Sequence, residues 1–504
     1  MRRELEELRR RLAEIVDLSR AASLLAWDER TMMPPRGAEA RADQLATLAA
    51  VRHRMFIADE IGRLLDACRA EAEALDPDSE PRSLIRVVTR DWEKARRVPT
   101  ELRAEIARAS ALGEAAWREA RERSDFELLR PRLERNVELK RRFAELYDGF
   151  EGFEHPYDPL LDEYEPRMPT PEMRRLLGEL RDGLAPLVEA TSAHAGAVDD
   201  SLLRGSFPEA AQRELVAELI AELPLEPGSW RLDPTAHPFA SAVSSRDVRL
   251  TTRYDESYLP TALFGALHEA GHGLYDAGVD SALARSPLGR PRSLGLHESQ
   301  SRLWENWVGR SRPYLERLLP RLRAAFGTSF DGAGPEELYR AANRVRPSLI
   351  RVEADELTYN LHIMIRFELE LDLFEGRLGV AELPDAWAAL TREQLGIEVP
   401  DHAHGVLQDV HWAAGSFGYF PTYSLGNVIA GQLWEAVTRE LSDLEQRIAR
   451  GELAALGDWL RDNVHRHGRM LEARQIVERA TGSPIEVGPY LRHLRGKFAA
   501  IYGL

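Results

Sequence analysis

Apolar residues recur every three or four positions along most of this 504-residue chain, which is the repeat of an amphipathic α-helix. The windows 101–122 and 444–480 are typical, since both combine this spacing with many Ala, Leu, Glu and Arg residues. Clusters of Pro, Gly and Asp interrupt the repeat, but none has the length or composition of a flexible linker. We therefore predict a mainly α fold, with a single domain over residues 1–504 in which two helical lobes flank a cleft.

Composition and charge exclude several classes of protein. Apolar residues make up 44% of the chain and charged residues 30%, and no apolar run approaches the roughly 20 residues of a membrane helix. The formal net charge of −16 argues against a nucleic-acid partner, because such binding needs clustered Lys and Arg. The N-terminus lacks the features of a secretory signal, so we expect a cytoplasmic protein. The single cysteine, Cys68, excludes an intramolecular disulfide and is expected to be a small buried residue.

Residues 237–254 form the one stretch that the sequence predicts to be extended. Their β-branched, Ser and Thr residues partly alternate with other types, as in a half-buried strand. The stretch directly precedes the segment LHEAGHGLYDAG at 267–278. We therefore expect a short β-hairpin on the wall of the cleft, close to the site that this segment forms.

The segment LHEAGHGLYDAG lies within a predicted helix that begins near Pro260 and ends at a C-cap glycine, Gly278. A spacing of four residues advances about 400° around an α-helix, so His268 and His272 share one face and can bind one metal ion. The offset of about 100° places the carboxylate of Glu269 beside the metal, where it can act as a general base. This H-E-x-x-H pattern favours a catalytic zinc site, although two histidines on a helix are often ordinary packing or surface residues.

A catalytic zinc site of this kind needs a third protein ligand. The segment SLGLHESQSRLWENWVGRS predicts a second amphipathic helix, from which we expect Glu298 to complete the set. His297 projects about 100° away from Glu298 and is expected to pack beside the site or to orient a ligand. Asp276 shares the rigid helix of the two histidines and is a poor third ligand. Asp276 and Arg302 are instead candidates to orient the ligands.

Six short motifs support this interpretation. In chain order they are HPF at 237–239, DVRLT at 247–251, HEAGH at 268–272, HESQ at 297–300, IRVEAD at 350–355 and GVLQDVHW at 405–412. The N-terminal segment LLAWDERTMMPPRGAEARADQLATLA adds a seventh region. Together they closely resemble the M32 family of metallocarboxypeptidases, typified by thermostable carboxypeptidase Taq. The resemblance covers essentially the whole chain.

The resemblance implies a mostly helical, two-lobed fold with a deep groove, related in architecture to neurolysin and angiotensin-converting enzyme. It also implies a homodimer and a divalent metal, usually zinc, for which cobalt can substitute. The implied activity is removal of C-terminal residues from peptides, with broad specificity and poor action around proline. His268, His272 and Glu298 match the metal ligands of the family, and Glu269 matches its general base.

Substrate contacts are predicted from the same motifs. A carboxypeptidase must bind a free α-carboxylate, for which the planar guanidinium of Arg351 is a natural partner. The alternative is an i,i+4 ion pair between Arg351 and Asp355 on one helix. Arg249 is placed in the substrate groove, although it could also be a solvated arginine of the hairpin. His237 is expected on the groove wall, where an extended peptide could add as a strand.

The reaction also needs hydrogen-bond donors for the negative charge that develops on the carbonyl oxygen. The segment QDVHWAAGSFGYFPTYSLG supplies three candidates. By resemblance to the two related helical peptidases, we choose His411 and Tyr423, with Tyr419 as a substitute for Tyr423. Each tyrosine could equally be an aromatic core residue.

Two other functions stay open at this point. An oligopeptidase would cut internal bonds and would still act on peptides whose C-terminal carboxylate is blocked. A helical peptide-binding protein would hold a structural zinc or none. A structural zinc normally has a fourth protein ligand, and the presence of Glu269 beside the histidines also argues against this function.

Overall fold

The computed structural model describes residues 2–504, and the prediction of a mainly helical fold is confirmed. The part before the sheet contains α1 Arg2–Thr31, α2 Ala38–Ile57, α3 Asp59–Glu73, α4 Glu80–Arg97, α5 Thr100–Arg123, α6 Phe126–Glu145, α7 Asp158–Leu161, α8 Thr170–Ala193 and α9 Glu209–Ala221. The sheet consists of β1 Trp230–Pro234, β2 Ala240–Ser244 and β3 Asp247–Thr252. Among the described residues, no helix combines the length and the apolar character that crossing a membrane requires.

The part after the sheet contains α10 Pro260–Gly278, α11 Leu294–Arg302, a π-helix Leu303–Gly309, α12 Arg312–Phe326, α13 Pro335–Ala342, α14 Tyr359–Phe374, α15 Leu383–Leu395, α16 Pro421–Glu440, α17 Leu444–Arg450, α18 Ala454–Asn463, α19 Ala473–Thr481 and α20 Gly488–Tyr502. Short 3-10 turns join several of these helices, including one over Arg351–Glu353. The predicted functional segments thus lie on α10, on α11 and in the irregular chain before α14 and α16.

The small sheet has the strand order β1-β3-β2. The predicted hairpin is present as β2 and β3, which pair antiparallel with Ser241 opposite Arg249. The sequence did not predict β1, which pairs parallel to β3 with Leu232 opposite Leu250. Val248 and Leu250 are fully buried against Gly273 of α10, so the sheet packs directly on the helix that carries the H-E-x-x-H segment.

The buried apolar side chains form two clusters. The larger one extends from α5 to α20 and includes most of the sheet and of the central helices. The smaller one is built from α1, α3, α4 and the chain after α10, and it includes Leu8, Val88 and Leu288. Cys68 is fully buried in this smaller cluster, as predicted. The N-terminal helices therefore have a core of their own, whereas the arrangement in two lobes around a groove stays a prediction.

Helix α10 spans the residues that its sequence indicates, from Pro260 to Gly278. The reason for glycine at its end differs from the expected C-cap, because Gly278 keeps a negative φ. A Cβ atom at Gly278 would lie 2.6 Å from the Cβ and Nδ1 atoms of His465. Glycine at this position therefore allows close packing of α10 against the chain before α19.

Two further glycines bring the central helices into backbone contact. A Cβ atom at Gly271 of α10 would lie 2.5 Å from the carbonyl oxygen of Gln300 and 2.6 Å from the Cα atom of Ser301, both on α11. A Cβ atom at Gly426 of α16 would lie 2.6 Å from the Cβ and Cγ atoms of Glu298. At these two positions α11 approaches α10 and α16 more closely than any residue with a Cβ atom would allow. This close packing fixes the position of Glu298.

Candidate active site

The structure brings His268, His272 and Glu298 together. The Nε2 atom of His272 lies 3.4 Å from Glu298 Oε2, and the Nε2 atom of His268 lies 3.7 Å from the same oxygen. One ligand atom from each of the three residues lies within 4.8 Å of the other two. The helical spacing of the histidines and the backbone contact between α10 and α11 produce this arrangement. We refer to these three residues as the ligand cluster.

The electrostatics of the ligand cluster suit a divalent cation. Burial, together with the neighbouring His297, lowers the pKa of His272 to about 4, so its imidazole is neutral at neutral pH. Burial works to raise the pKa of Glu298, but Arg302 and the two histidines hold it well below its usual range. Two imidazoles and an ionised carboxylate form a three-residue donor set that leaves a fourth position of a tetrahedral ion open. The residues present therefore fit zinc.

Glu305 orients one member of the ligand cluster, and sequence reasoning missed it. Its Oε2 atom lies 2.9 Å from Nδ1 of His268. A hydrogen bond donated by Nδ1 leaves the Nε2 lone pair of His268 directed at the cluster. Glu305 also contacts Arg302 at 3.4 Å and Arg310 at 3.2 Å. It lies in the π-helix, whose wider turn changes which side chains share a face.

The residues expected to orient the ligands lie beside the cluster. The Nε atom of Arg302 donates to Glu298 Oε1 at 2.7 Å. His297 stacks on His272 with ring centroids 4.5 Å apart. The Nε2 atom of His297 lies 3.5 Å from Asp276 Oδ2, so Asp276 is linked to the cluster through His297. Each ligand side chain therefore has a packing or polar neighbour that restricts its rotation.

Glu269 follows His268 on α10 and is 6% exposed. Burial raises the pKa of Glu269 to about 7, while the neighbouring His268 works in the opposite direction. A carboxyl group with a pKa near neutrality can accept a proton and release it again at neutral pH. This is the property that a general base needs.

Arg351 does not pair with Asp355, which was the alternative to substrate binding. Its Nε and Nη2 atoms donate to Asp409 Oδ1 at 3.1 and 2.7 Å, and its Nη1 atom donates to the hydroxyl of Tyr359 at 3.0 Å. Residues 351–353 form a 3-10 turn, so the i,i+4 geometry that this alternative requires is absent. Asp355 instead accepts from the backbone N–H groups of Leu357 and Thr358, at the start of α14.

Asp409 is a second residue that the sequence did not indicate. One of its carboxylate oxygens accepts from Arg351, and the other accepts from Nε and Nη2 of Arg366 at 2.7 and 2.5 Å. The two arginines hold the pKa of Asp409 far below its usual range, against the effect of burial. Two guanidinium groups share one carboxylate, so this buried group of three keeps an excess positive charge.

His411, Tyr419 and Tyr423 lie side by side. The His411 ring is 5.2 Å from that of Tyr419 and 6.4 Å from that of Tyr423, measured between centroids. Burial lowers the pKa of His411 to about 4, so its imidazole is neutral. Burial also raises the pKa of both tyrosines, so their hydroxyl groups keep their protons. All three side chains are therefore available as neutral hydrogen-bond donors.

Tyr359 connects the two halves of the site. The guanidinium of Arg302, which binds Glu298, lies 4.4 Å from the centre of the Tyr359 ring. The hydroxyl of the same tyrosine accepts from Arg351. The Tyr359 ring and the Arg302 guanidinium thus connect the ligand cluster to the arginine expected to bind a carboxylate.

The two remaining predicted residues lie on the sheet side. Arg249 of β3 donates to Asp247 at 2.9 Å and stacks on Trp27 of α1 at 4.3 Å. Arg249 is therefore half-buried and has partners of its own on the sheet side. His237 is exposed in the turn before β2. Their contact with a substrate stays a prediction.

A helical fold that carries an H-E-x-x-H helix, completed by a carboxylate from the next helix, defines a metallopeptidase. The profile of the carboxypeptidase Taq (M32) metallopeptidase family matches residues 7–498. The chain therefore belongs to the M32 family of metallocarboxypeptidases, and it is a peptide hydrolase.

Relatives match this chain over nearly its full length. Thermostable carboxypeptidase 1 of Thermus thermophilus is 43% identical over 496 residues, which cover 97% of each chain. The crystal structure of an M32 carboxypeptidase from Deinococcus radiodurans superposes with a TM-score of 0.95 at 39% identity, covering 99% of this chain and all of that one. Metallocarboxypeptidase 1 of Trypanosoma cruzi superposes with a TM-score of 0.94 at 33% identity, with the same coverage.

Proposed function

We propose that the protein is a zinc-dependent carboxypeptidase that hydrolyses the last peptide bond of peptides with broad specificity and acts poorly around proline. The observation that carries the proposal is the position of Arg351, which is connected to the ligand cluster through Tyr359 and Arg302. A metal that activates water and a guanidinium that binds a terminal carboxylate are the two elements that such an enzyme needs.

His268, His272 and Glu298 would hold the zinc ion, and cobalt could take its place. Bound zinc would polarise the scissile carbonyl group and make water more acidic. Glu269 accepts a proton from the attacking water and passes it to the leaving amine. Its buried position and its raised pKa support this role.

His411 and Tyr423 donate hydrogen bonds to the carbonyl oxygen as negative charge develops on it, and Tyr419 is the substitute for Tyr423. Neutral donors are suited to this task because they need no change of protonation before the reaction. The low pKa of His411 and the high pKa of the tyrosines support this assignment.

Arg351 binds the terminal carboxylate and thereby places only the last peptide bond at the metal. The excess positive charge of Arg351 and Arg366 around Asp409 supports this role, because a buried cation without a full counter-charge favours an anionic ligand. Arg249 and His237 would line the groove for the residues that precede the cleaved bond. Two helical lobes would form the walls of that groove.

Three further properties belong to the proposal. The partners are peptides with a free C-terminus, the enzyme is a homodimer, and it acts in the cytoplasm. Light scattering after size-exclusion chromatography measures the mass of the assembly, and a value close to twice the 56.9 kDa chain is expected.

Hydrolysis of an N-blocked dipeptide with a free carboxylate tests the proposed function. Wild type and Glu269→Gln are compared after the zinc content of each has been measured. We expect about one zinc per chain in both, with kcat lower by about 10³-fold in the variant, since general base catalysis contributes at most about 10⁴-fold. Equal rates for the two proteins would disprove the assignment of Glu269.

The C-terminal amide of the same dipeptide separates exopeptidase from oligopeptidase activity. The blocked peptide should not be cleaved, because Arg351 has no carboxylate to bind. Comparable cleavage of the acid and the amide would favour an oligopeptidase. Stoichiometric zinc without cleavage of either peptide would favour the non-catalytic peptide-binding protein.

A further inference from the structure

The chain over residues 409–420, which carries His411, contains no α-helix or strand, and side chains from other elements fix it. On one side of His411, the carboxylate of Asp409 accepts from Nε of Arg366 at 2.7 Å. On the other side, the indole Nε1 of Trp412 donates to Oε1 of Glu370 at 2.7 Å. Glu370 Oε2 also accepts from the backbone N–H of Gly418 at 2.8 Å.

Arg366 and Glu370 both belong to α14 and stand four residues apart, so they lie on one face of the helix. One rigid surface therefore holds the chain both before and after His411. The Arg366–Asp409 and Glu370–Trp412 hydrogen bonds join residues that are 43 and 42 positions apart in sequence. They are therefore tertiary contacts rather than local turns.

Both side chains are fully buried, and each nitrogen of Arg366 and each carboxylate oxygen of Glu370 has a hydrogen-bond partner. Arg366 uses its third nitrogen to donate to the carbonyl oxygen of His362 at 2.7 Å. Glu370 accepts a further hydrogen bond from the hydroxyl of Tyr157. A buried carboxyl group is costly unless donors surround it, and Glu370 has three. Because both side chains are 0% exposed, they cannot contact a substrate directly.

We infer that Arg366 and Glu370 are positioning residues, which form a clamp that holds His411 where the carbonyl oxygen of the substrate becomes negatively charged. The inference rests on the proposed role of His411. Hydrogen-bond donors stabilise this negative charge effectively only if they already stand in position before the reaction. A small displacement of the donor removes much of the rate enhancement. The clamp supplies this fixation in a segment whose own backbone has no regular structure.

Glu370→Gln tests the clamp. A glutamine side chain keeps one acceptor, but it cannot accept from Trp412 and Gly418 at the same time, so the segment loosens. The variant should fold, because Asn136 still donates to the carbonyl oxygen of Ala413 at 2.6 Å. The matched control is Glu368→Gln on the same helix, whose carboxylate pairs with Arg181 and does not contact the segment.

All proteins are loaded with zinc, and kcat and KM are measured on the N-blocked dipeptide. Glu370→Gln should lower kcat by about 10- to 100-fold with KM unchanged, as expected for a misplaced transition-state donor. His411→Ala alone should lower kcat by about 100-fold. In the His411→Ala background, Glu370→Gln should have no further effect, because the residue that it positions is gone. Glu368→Gln should match wild type.

Three outcomes of these measurements would overturn the inference. If the effects of Glu370→Gln and His411→Ala multiply, the clamp acts through something other than His411. If Glu370→Gln leaves kcat unchanged, there is no clamp. A wild-type kcat for His411→Ala would instead disprove the proposed role of His411, and the clamp with it.

Trp412→Phe provides a second route if Glu370→Gln fails to fold. The phenylalanine ring keeps most of the packing and removes only the indole donor to Glu370. We expect the same loss of kcat at constant KM, and again no further loss in the His411→Ala background. Multiplying effects in this pair would also overturn the inference.

Discussion

The two sides of the candidate active site are built in different ways. The ligand cluster stands on α10 and α11, where the helical repeat sets the spacing and glycines bring the backbones into contact. His411 and Arg351 stand on irregular chain, and buried side chains of distant elements fix them. The ligand side thus depends on backbone packing, whereas the opposite side depends on hydrogen bonds and ion pairs.

This difference predicts how each side fails. On the ligand side, an added methyl group should displace a whole helix, while polar changes should have small effects. On the other side, the removal of one polar partner should alter catalysis with little change in metal binding. Four predictions test the contrast, in order of decreasing effect.

The largest effect is expected for Gly271→Ala. The new Cβ atom would collide with the backbone of α11 at Gln300 and Ser301, and α11 would have to move with Glu298. We expect loss of stoichiometric zinc and a fall of kcat/KM by about 100-fold or more. The matched control is Gly265→Ala on the same helix, where the nearest atom, Thr252 Oγ1, is 3.9 Å away.

Zinc content, activity and melting temperature are measured for both glycine variants. Gly265→Ala should bind zinc normally and gain about 0.5–1 kcal/mol of stability, because alanine favours the helix. Normal zinc content in Gly271→Ala would show that the contact between α10 and α11 does not position Glu298.

Arg351→Lys should have the next largest effect. Lysine keeps the charge but loses the planar fork that binds carboxylates. The expected cost of about 2 kcal/mol corresponds to a rise in KM of about 30-fold for the free-acid dipeptide, with zinc content unchanged. Arg346→Lys, an exposed neighbour, is the control and should behave as wild type. An unchanged KM for Arg351→Lys would assign the carboxylate contact to another residue.

Glu305→Gln tests a polar contact on the ligand side. Glutamine can still accept from Nδ1 of His268, but without a charge, so the affinity for zinc should fall by about tenfold. Competition with a chelator measures this affinity, and kcat of the fully loaded enzyme should change little. Glu316→Gln on the exposed face of α12 serves as the control. If the zinc affinity of Glu305→Gln equals that of wild type, Glu305 does not orient His268.

The smallest effect concerns the start of α11. Buried Glu165 accepts from the Ser293 hydroxyl at 2.7 Å and from the Gly295 N–H at 2.9 Å, and burial raises its pKa to about 7. The folded protein therefore retains this proton up to about pH 7, whereas the unfolded chain releases it near pH 4.5, the ordinary pKa of a glutamate side chain. The contribution of Glu165 to stability is complete below that lower pKa and is lost as pH rises through 7.

Glu165→Gln does not titrate and is the reference for this comparison. The melting temperature of wild type relative to the variant should fall by a few degrees between pH 5 and pH 8. A difference that does not depend on pH would mean that Glu165 titrates near its ordinary pKa in the folded protein.

The sequence predicted the ligand side well because its geometry is local. The bounds of α10 followed from proline, glycine and the helical repeat, and the shared face of His268 and His272 followed from residue spacing. Glu298 required only the additional assumption that the next amphipathic helix returns to the first. Short-range rules determine most of this side.

The other side could not be predicted in the same way. Arg366 and Glu370 meet their partners more than 40 residues away, and no local pattern encodes such contacts. The alternative pair between Arg351 and Asp355 assumed helical spacing, which a 3-10 turn does not provide. Strand β1 was missed because its partner lies across the sheet rather than next to it in a hairpin.

The π-helix at Leu303–Gly309 has a consequence for changes of chain length. A π turn contains about one residue more than an α turn, so the segment shifts the angular phase of all that follows by about 100°. Deletion of Leu303 or Trp304 would rotate Glu305 by about 100° relative to α11 and carry it away from His268. We therefore expect this stretch to tolerate exchanges of side chains of similar size far better than any insertion or deletion.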